Sequence, residues 1–445
     1  MKKKILIITT IILVLLPVYF MHIDVYFSGD EVITYNMVNN DKAGFVFSDG
    51  RLAGYMLNEV FNSNDITVVI GNLNDLAADV IQNGRNSRLL TAERDPEVYL
   101  YSKEEMIDWF AKRSDERFNL FDTWIHSLGD DGGAWQYEFL INIVASVLLP
   151  ISSTKWVAFI VNYCFYLLMI FVLFKIGKAL GNSDEINYLT IICLCLWYVS
   201  IHTVTNLRAY QVASFWTALL VLNAIKIHSD AMKDKDIKVS DLIKFVVSYA
   251  LGFVTHYTIG AVLTTFGITL VVFMLIGKKK NVGKVIIAGI ISLFAGIILA
   301  PDSIVDLLNE YSNKGAVDMP REMYGYMALS IVLLVVLIVH VVRHKDAINN
   351  SFCYTSFSTV LCFVMVIYGT NRVGYAKIAY PVAFLLVSSV IFNTIRAHFD
   401  IKKNPGFYKT ILGVIFAGFG VANLVYIYNF KVKENNEVLP KQAVL

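Results

Sequence analysis

The chain alternates between long apolar blocks and short polar connections, and this pattern predicts a helical membrane protein. The blocks are about 16 to 22 residues long, the length that an α-helix needs to cross a hydrocarbon core of about 30 Å. A backbone inside a bilayer must satisfy its own hydrogen bonds, so such blocks fold as helices. Composition agrees, since 56% of the 445 residues are hydrophobic and 17% are charged. The predicted fold class is an all-α polytopic membrane protein with about eleven transmembrane helices and a large first extracytoplasmic loop.

The first apolar block follows Met1-Lys2-Lys3-Lys4 and ends near Met21. A basic start before an apolar stretch is also typical of signal peptides, but the end of this block offers no small-residue cleavage site. We therefore predict that residues 1–21 form an uncleaved first transmembrane helix with its N-terminus in the cytoplasm.

Polar and apolar stretches divide the remaining chain into five parts. Residues 22–155 form the largest polar region and predict a folded extracytoplasmic loop with juxtamembrane helices, one of them an amphipathic helix around 102–110. The other predicted parts are a transmembrane module at 156–300, a second outer loop at 301–323, C-terminal transmembrane helices at 324–428 and an outer tail at 429–445.

One apolar run, Phe139 to Ile151, is about 13 residues long and too short for a crossing, so we expect an interfacial or re-entrant helix there. Without a crossing at this run, the predicted cytoplasmic connections hold nineteen Lys and Arg residues and the short outer connections hold five. A crossing here would place most of these charges outside, against the positive-inside rule. The net charge of +2 gives no reason to expect nucleic acid as a partner.

This topology brings acids and cations to the outer face. Charged groups at a membrane surface cost free energy unless they are paired or used, so they are candidates for a functional site. The candidates are Asp30, Glu31, Asp130, Asp131, Arg208, Tyr210, His256 and Arg372.

Each candidate also has a structural explanation. The two acids of Asp30-Glu31 suit a solvated loop start or a helix cap, and arginines at outer helix ends often contact lipid phosphate. His256 lies between two apolar runs, where it suits a tight turn. Asp130-Asp131 precede two glycines and most simply form a turn, with a metal or acceptor role as the alternative.

Several short motifs occur together in the order and spacing of one enzyme class. They are Gly29-Asp30-Glu31 followed by Tyr35 and Asn39, Ser102-Lys103-Glu104-Glu105 through Arg117-Phe118-Asn119, Lys155-Trp156, Asn162, Arg208-Ala209-Tyr210, Thr255-His256-Tyr257, and Arg372 followed by Tyr380-Pro381. In these motifs the chain resembles the C-type superfamily of polyprenyl-phosphate-sugar-dependent glycosyltransferases. It is most similar to the bacterial family-39-like proteins related to protein mannosyltransferases and to aminoarabinose transferases of lipid A. The resemblance covers residues 1 to about 395.

The resemblance implies an inverting glycosyltransferase of the bacterial plasma membrane, with its active site on the outer face. Its implied partners are a polyprenyl-phosphate sugar donor, a glycan, lipid or protein acceptor, and membrane lipids. Such a reaction needs a base for the acceptor's proton and cations for the departing phosphate. Asp30 fits the base, and Glu31 is the second candidate catalytic acid, although the two need not share a role. The implied phosphate-binding residues are Arg208, Tyr210, His256 and Arg372.

The chain departs from the family where an acceptor-side motif is expected. In such proteins a His-Pro-Pro-Leu-Tyr-Tyr-like stretch precedes the short apolar run, but residues 133–138 here read Gly-Ala-Trp-Gln-Tyr-Glu. Tyr137 is retained, and together with Asp131 it is our candidate for the acceptor side or its loop. Residues 50–95 are an apparent insertion. The departure means either that the acceptor site has diverged or that activity has been lost.

Two other functions stay open. A lipid or saccharide transporter or flippase would be expected to show inverted repeats and interrupted helices, and the sequence shows no such pair. A catalytically inactive envelope-assembly relative would explain the missing motif. No cofactor or metal site is expected, because no nucleotide-binding loop or Cys/His cluster occurs. A divalent cation is left open, although the relatives implied by the resemblance work without one.

Overall fold

A computed structural model describes residues 3–23, 31, 34–35, 38–39, 66–83, 111–128, 135–300, 303, 321–370, 373–398, 414 and 417–426. Within this part of the chain the regular structure is helical and contains no strands. The predicted amphipathic helix around 102–110 and the outer tail at 429–445 lie outside it, as does almost all of the predicted second outer loop.

The helices are numbered along the chain. They are α1 (Lys3–Leu13), α2 (Leu16–Ile23), α3 (Ile66–Asn83), α4 (Leu120–Leu128), α5 (Trp135–Val147), α6 (Trp156–Ala179), α7 (Asp184–Leu196), α8 (Tyr198–Thr205), α9 (Tyr210–Met232), α10 (Val239–Phe253), α11 (Ile259–Ile276), α12 (Val282–Leu299), α13 (Arg321–Arg343), α14 (Ser351–Thr370), α15 (Tyr380–His398) and α16 (Ala417–Tyr426). Short 3-10 turns lie at Ser114–Glu116, Leu149–Ile151, Lys345–Asn349 and Val373–Ala379.

Local sequence explains several helix ends. Pro17 lacks a backbone N–H, so the first apolar block is interrupted by a turn at residues 14–15 before α2. Helix α6 ends where Gly181 adopts a φ of 87°, a left-handed conformation that favours glycine. The Ser183 side chain then caps α7 by accepting a hydrogen bond from the Ile186 N–H at 3.4 Å.

Seven spans among the described residues are long and apolar enough to cross a membrane. They are α1 and α2 taken together, α6, α9, α11, α12, α13 and α15. Helices α7 and α8 make an eighth if they are one span bent by 61°. The predicted class of helical membrane protein agrees with these helices. Length and composition support seven or eight of the eleven predicted crossings, and the others stay a prediction.

The core lies among α6, α9, α10, α11 and α14, while α12 and α13 carry much of the outward apolar surface. Helix α10 packs closely on α12 at Gly296, where a Cβ atom would come within 3.0 Å of the Tyr249 and Phe253 rings. On the outward face Ile298 is 74% exposed, and no residue in the apolar window of α13 is buried. Such a surface suits contact with lipid chains.

The two ends of the long helices carry different groups. We call the end where α6 and α9 begin the site end, because Glu31, Arg208 and His256 lie there. We call the end where α6 and α9 finish the lysine end. At one place on it Asp184 pairs with Lys3 at 2.9 Å and with Lys178 at 3.2 Å.

A second group of ion pairs lies between the connections that follow α9 and α11 at the lysine end. Lys279 pairs with Asp234, and Lys284 pairs with Asp236, both at 2.9 Å. These residues all belong to connections predicted to be cytoplasmic, so groups predicted to share one side of the membrane do meet. The side that they face stays a prediction.

Helix α5 runs along the site end and does not connect the two ends. At its start the Gln136 N–H donates to the Val254 carbonyl at 3.1 Å. Shortly after its end Lys155 pairs with Glu31. Its 13 residues span about 20 Å, less than a hydrocarbon core. The helix Trp135–Val147 overlaps the short apolar run predicted at 139–151, and its position relative to a membrane stays a prediction.

Candidate functional site

The site is built on the polar segment that follows the first helix. Glu31, Tyr35 and Asn39 are four residues apart, a spacing that places them on one face of a helix, and all three are helical. Their side chains are 4%, 0% and 1% exposed. This face is therefore packed against protein and not directed to solvent.

Glu31 forms the charged part of this face. One carboxylate oxygen accepts a hydrogen bond from the Leu207 N–H at 3.0 Å, and the other lies 3.4 Å from the Lys155 ammonium. Both charged side chains are less than a tenth exposed. A buried carboxylate is tolerated when it is paired and hydrogen-bonded, as here. Glu31 thus joins the first loop to the start of α6 and to the segment before α9.

Tyr35 and Asn39 extend the same attachment. The Tyr35 hydroxyl donates to the Thr154 carbonyl at 2.7 Å and accepts from the Ala158 N–H at 3.2 Å. The Asn39 amide donates to the Ser152 carbonyl at 3.5 Å. The spacing of four residues that suggested the family motif is therefore used for packing against the start of α6.

Cations and aromatic rings form the other half of the site. Arg208 directly follows Leu207, and its charge acts on both His256 and Lys377. The His256 ring lies 5.1 Å from the Tyr210 ring and 5.4 Å from the Tyr375 ring. The Lys377 ammonium lies 5.6 Å from the centre of the Tyr210 ring.

His256 is held as a neutral hydrogen-bonding group. Its Nδ1 accepts from the Thr258 N–H at 3.3 Å and lies 2.7 Å from the Thr258 hydroxyl. The proton of the neutral ring is therefore on Nε2. Burial, with the charge of Arg208, lowers the pKa of His256 to about 3. At neutral pH the ring is therefore neutral and carries one N–H donor.

The segment that departs from the family motif packs against the turn that carries His256. The Gln136 side-chain oxygen accepts from the Trp216 indole at 2.9 Å and from the Thr255 hydroxyl. Tyr137 is in helix α5, not in a loop, and is 1% exposed beside Asn162. The ring is packed in the interior, and the acceptor-side role of Tyr137 stays a prediction.

The structure brings Glu31, Arg208, Tyr210 and His256 together at the site end. Asp30, Asp131 and Arg372 lie outside the described residues, as does Asp130. Within the described part of the chain, no group of three or more His, Cys, Asp or Glu side chains could hold a metal ion.

Sequence reasoning quoted Lys155 only as part of the Lys155-Trp156 motif and gave it no role in the site, and it did not name Lys377 as a site residue. A signal was present for both lysines. Each stands at the predicted outer end of a helix, where the positive-inside rule disfavours lysine. A lysine in such a place suggests a specific charged partner or ligand.

The site therefore combines one arginine cation, Arg208, and one lysine cation, Lys377, with a neutral imidazole N–H and several aromatic rings. A guanidinium fork and an ammonium group suit a phosphate, and tyrosine rings suit the apolar face of a sugar or lipid. Comparison of the chain with protein-family models, curated proteins and solved structures gave no match. The relation to glycosyltransferases accordingly rests on the motifs quoted above.

Proposed function

We propose that the protein is a membrane glycosyltransferase that moves a sugar from a polyprenyl-phosphate donor to a cell-envelope acceptor at the outer membrane face. One observation carries the proposal. Leu207 and Arg208 are adjacent in the chain, and Leu207 binds the buried Glu31 carboxylate while Arg208 acts on His256 and Lys377. The acidic motif and the cationic motifs named from sequence are thus parts of one site.

The contacts suggest separate roles for the residues. Glu31 is occupied by Lys155 and the Leu207 N–H, so we assign it to positioning. Asp30, which precedes it in the sequence, is the proposed base that takes the acceptor hydroxyl proton. Arg208 and Lys377 would neutralise the charge that develops on the departing phosphate, and His256 would donate its Nε2 proton in a hydrogen bond.

One feature favours the transporter alternative. Helices α7 and α8 form a broken pair at Trp197, and discontinuous helices are typical of substrate sites in transporters. A transporter built from inverted repeats would need a second broken pair in the corresponding position. Among the described helices this bend of more than 40° occurs in one pair. One broken pair gives the transporter less support than the meeting of the acidic and cationic motifs at the site end gives the transferase.

The proposal is tested by transfer from a panel of radiolabelled polyprenyl-phosphate sugars to endogenous acceptors in membranes that contain the protein. We expect transfer by the wild type, nearly complete loss in Asp30→Asn and a loss of about 100-fold in Arg208→Ala. Asp184→Asn removes an acid at the lysine end and should retain transfer. Immunoblots of the membranes check that each variant is inserted in the same amount as the wild type.

Other outcomes would contradict the proposal in distinct ways. Full transfer by Asp30→Asn would remove Asp30 as the base. Absence of transfer with every donor, combined with donor movement across liposomes that contain the purified protein, would establish the transporter instead. Absence of both activities would support the inactive relative.

A further inference from the structure

A group of buried polar atoms lies among α5, α6, α8, α9 and α15. Within the described part of the chain these atoms make no hydrogen bond of ordinary length and angle, although several of them lie near one another. Each of their residues is at most 4% exposed. We call their six side chains the polar column. The atoms are Tyr137 Oη, Asn162 Oδ1, Tyr166 Oη, Ser200 Oγ, Gln211 Oε1 and Tyr380 Oη.

The column starts beneath the site and follows one face of α6. Asn162 and Tyr166 are four residues apart, and Met169 continues the same face three residues later. Tyr137 lies next to Asn162 at the upper end. At the lower end the Gln211 amide nitrogen lies 3.5 Å from the Met169 sulfur.

The middle of the column is formed around one hydroxyl. Tyr166 and Tyr380, from two different helices, both lie next to Ser200. Ser200 belongs to the first turn of α8, directly after the bend at Trp197. Irregular backbone at membrane depth is tolerated where protein buries it or where it lines a hydrated space.

Many buried hydroxyls elsewhere in the bundle are satisfied within the protein. Four described threonine hydroxyls that are not lie one each on α7, α9, α11 and α14, namely Thr190, Thr217, Thr269 and Thr359. Ser358 and Ser389 donate to carbonyls one turn back, at 2.9 and 2.6 Å. Tyr354 is as buried as Tyr166, but its hydroxyl donates to the Phe266 carbonyl at 2.9 Å. Buried polar groups are normally bonded to protein or to ordered water. A cluster of six that lack such a bond therefore needs an explanation.

We propose that the polar column binds ordered water molecules. Its groups are neutral hydroxyls and amides, which suit water better than a charged ligand. The three neighbouring hydroxyls of Tyr166, Ser200 and Tyr380 match the roughly three hydrogen bonds of a typical buried water. The upper end is joined to the site, because the Asn162 amide donates to the Asn206 carbonyl at 3.0 Å, directly before Leu207 and Arg208. Hydration of the column would therefore support the segment that carries the proposed phosphate-binding arginine. The proposal does not depend on the glycosyltransferase assignment.

X-ray radiolytic labelling of the purified full-length protein in nanodiscs, read by mass spectrometry, tests the proposal. Radiation converts a bound water into a hydroxyl radical that modifies the side chain beside it, whatever its exposure to bulk solvent. We expect Tyr166 and Met169 to be labelled several-fold faster than Tyr354. Tyr354 is the matched control, since it is equally buried and its hydroxyl is satisfied.

Two substitutions give a second readout. If water is bound, Tyr166→Phe removes one of its partners, so the melting temperature falls and the labelling of Met169 slows. If the column is dry, the same change removes an unsatisfied hydroxyl, so the melting temperature stays the same or rises. Tyr354→Phe should lower the melting temperature in both cases. Labelling of Tyr166 and Met169 at the rate of Tyr354 would overturn the proposal, and this measurement on the wild type does not depend on whether a variant folds.

Discussion

Two ion pairs, one at each end of the helix bundle, use the same charged residue types in opposite ways. At the site end, Glu31 and Lys155 form a pair in which both side chains are less than a tenth exposed. At the lysine end, the Lys284–Asp236 pair has side chains that are 43% and 78% exposed. The charge of this pair is left in solvent, where a pair contributes little to stability. At the same end Asp241 is 3% exposed and pairs with Lys226 at 2.6 Å, so not every acid there is solvated. Charge at the site end is desolvated and fixed in position, which is the arrangement that a binding or catalytic site needs.

The largest expected effect comes from breaking the buried pair. Glu31→Gln keeps the size of the side chain and the hydrogen bond to Leu207 but removes the charge that Glu31 places beside the buried Lys155. We expect a loss of about 3–5 kcal/mol in the free energy of unfolding, measured by denaturant titration in micelles. The double variant Glu31→Gln with Lys155→Met should recover part of this loss. Wild-type stability of the single variant would show that the pair is not desolvated.

The second effect concerns ligand binding at the site end. Lys377→Ala should raise the KM for the polyprenyl-phosphate donor by about 10-fold to 100-fold, because it removes a charged hydrogen-bond donor. Lys377→Arg keeps the charge and should retain most of the affinity. Lys284→Ala is the control at the lysine end. An equal KM in the wild type and Lys377→Ala would exclude Lys377 from the phosphate site.

The third effect is a dependence of stability on pH. Burial and Arg208 lower the pKa of His256 to about 3, below its ordinary value of 6.5. The unfolded chain therefore binds a proton across the window from about pH 6.5 to pH 3 that the folded chain does not bind, so stability falls as the pH is lowered through this window. His256→Gln should reduce the change in melting temperature between pH 7 and pH 5.

His344 provides the comparison for this experiment, because it is exposed at the end of α13. His344→Gln should leave the dependence on pH as it is in the wild type. If acidification lowers the melting temperature of His256→Gln by as much as that of the wild type, His256 is charged or solvated in the folded protein.

The smallest effect is expected at the lysine end. Lys284→Ala removes the partner of Asp236 where both side chains are open to solvent. The melting temperature and the transfer activity should both stay within experimental error of the wild type. A clear change in either would mean that the two pairs do not differ as described.

Part of the site could be predicted because its motifs are local. Glu31, Tyr35 and Asn39 are spaced four residues apart, as residues on one helix face are, and all three are helical in the structure. Arg208 and His256 stood out as polar residues between apolar blocks. The predicted grouping of these residues at one end agrees with the observed contacts. Consecutive long helices run in opposite directions, so every second connection lies at the same end of the bundle.

Other parts depended on contacts between distant residues. Nothing near Lys155 in the sequence names Glu31 as its partner, and nothing near Lys377 places it over the Tyr210 ring. Tyr137 is a candidate for the acceptor side, and its packing in the interior from α5 follows from tertiary contacts. The sequence around the bend between α7 and α8 contains no proline or glycine that would predict it.

The sequence by itself determined the helical membrane class, the order of the long helices and the end of the bundle at which polar chemistry gathers. These properties follow from block length, helix period and charge, which are all read within one segment. The tertiary structure alone decided which charges are buried, which are paired and which side chains share the polar column. Burial and pairing are properties of two or more segments in contact, so neighbouring residues in the chain do not encode them.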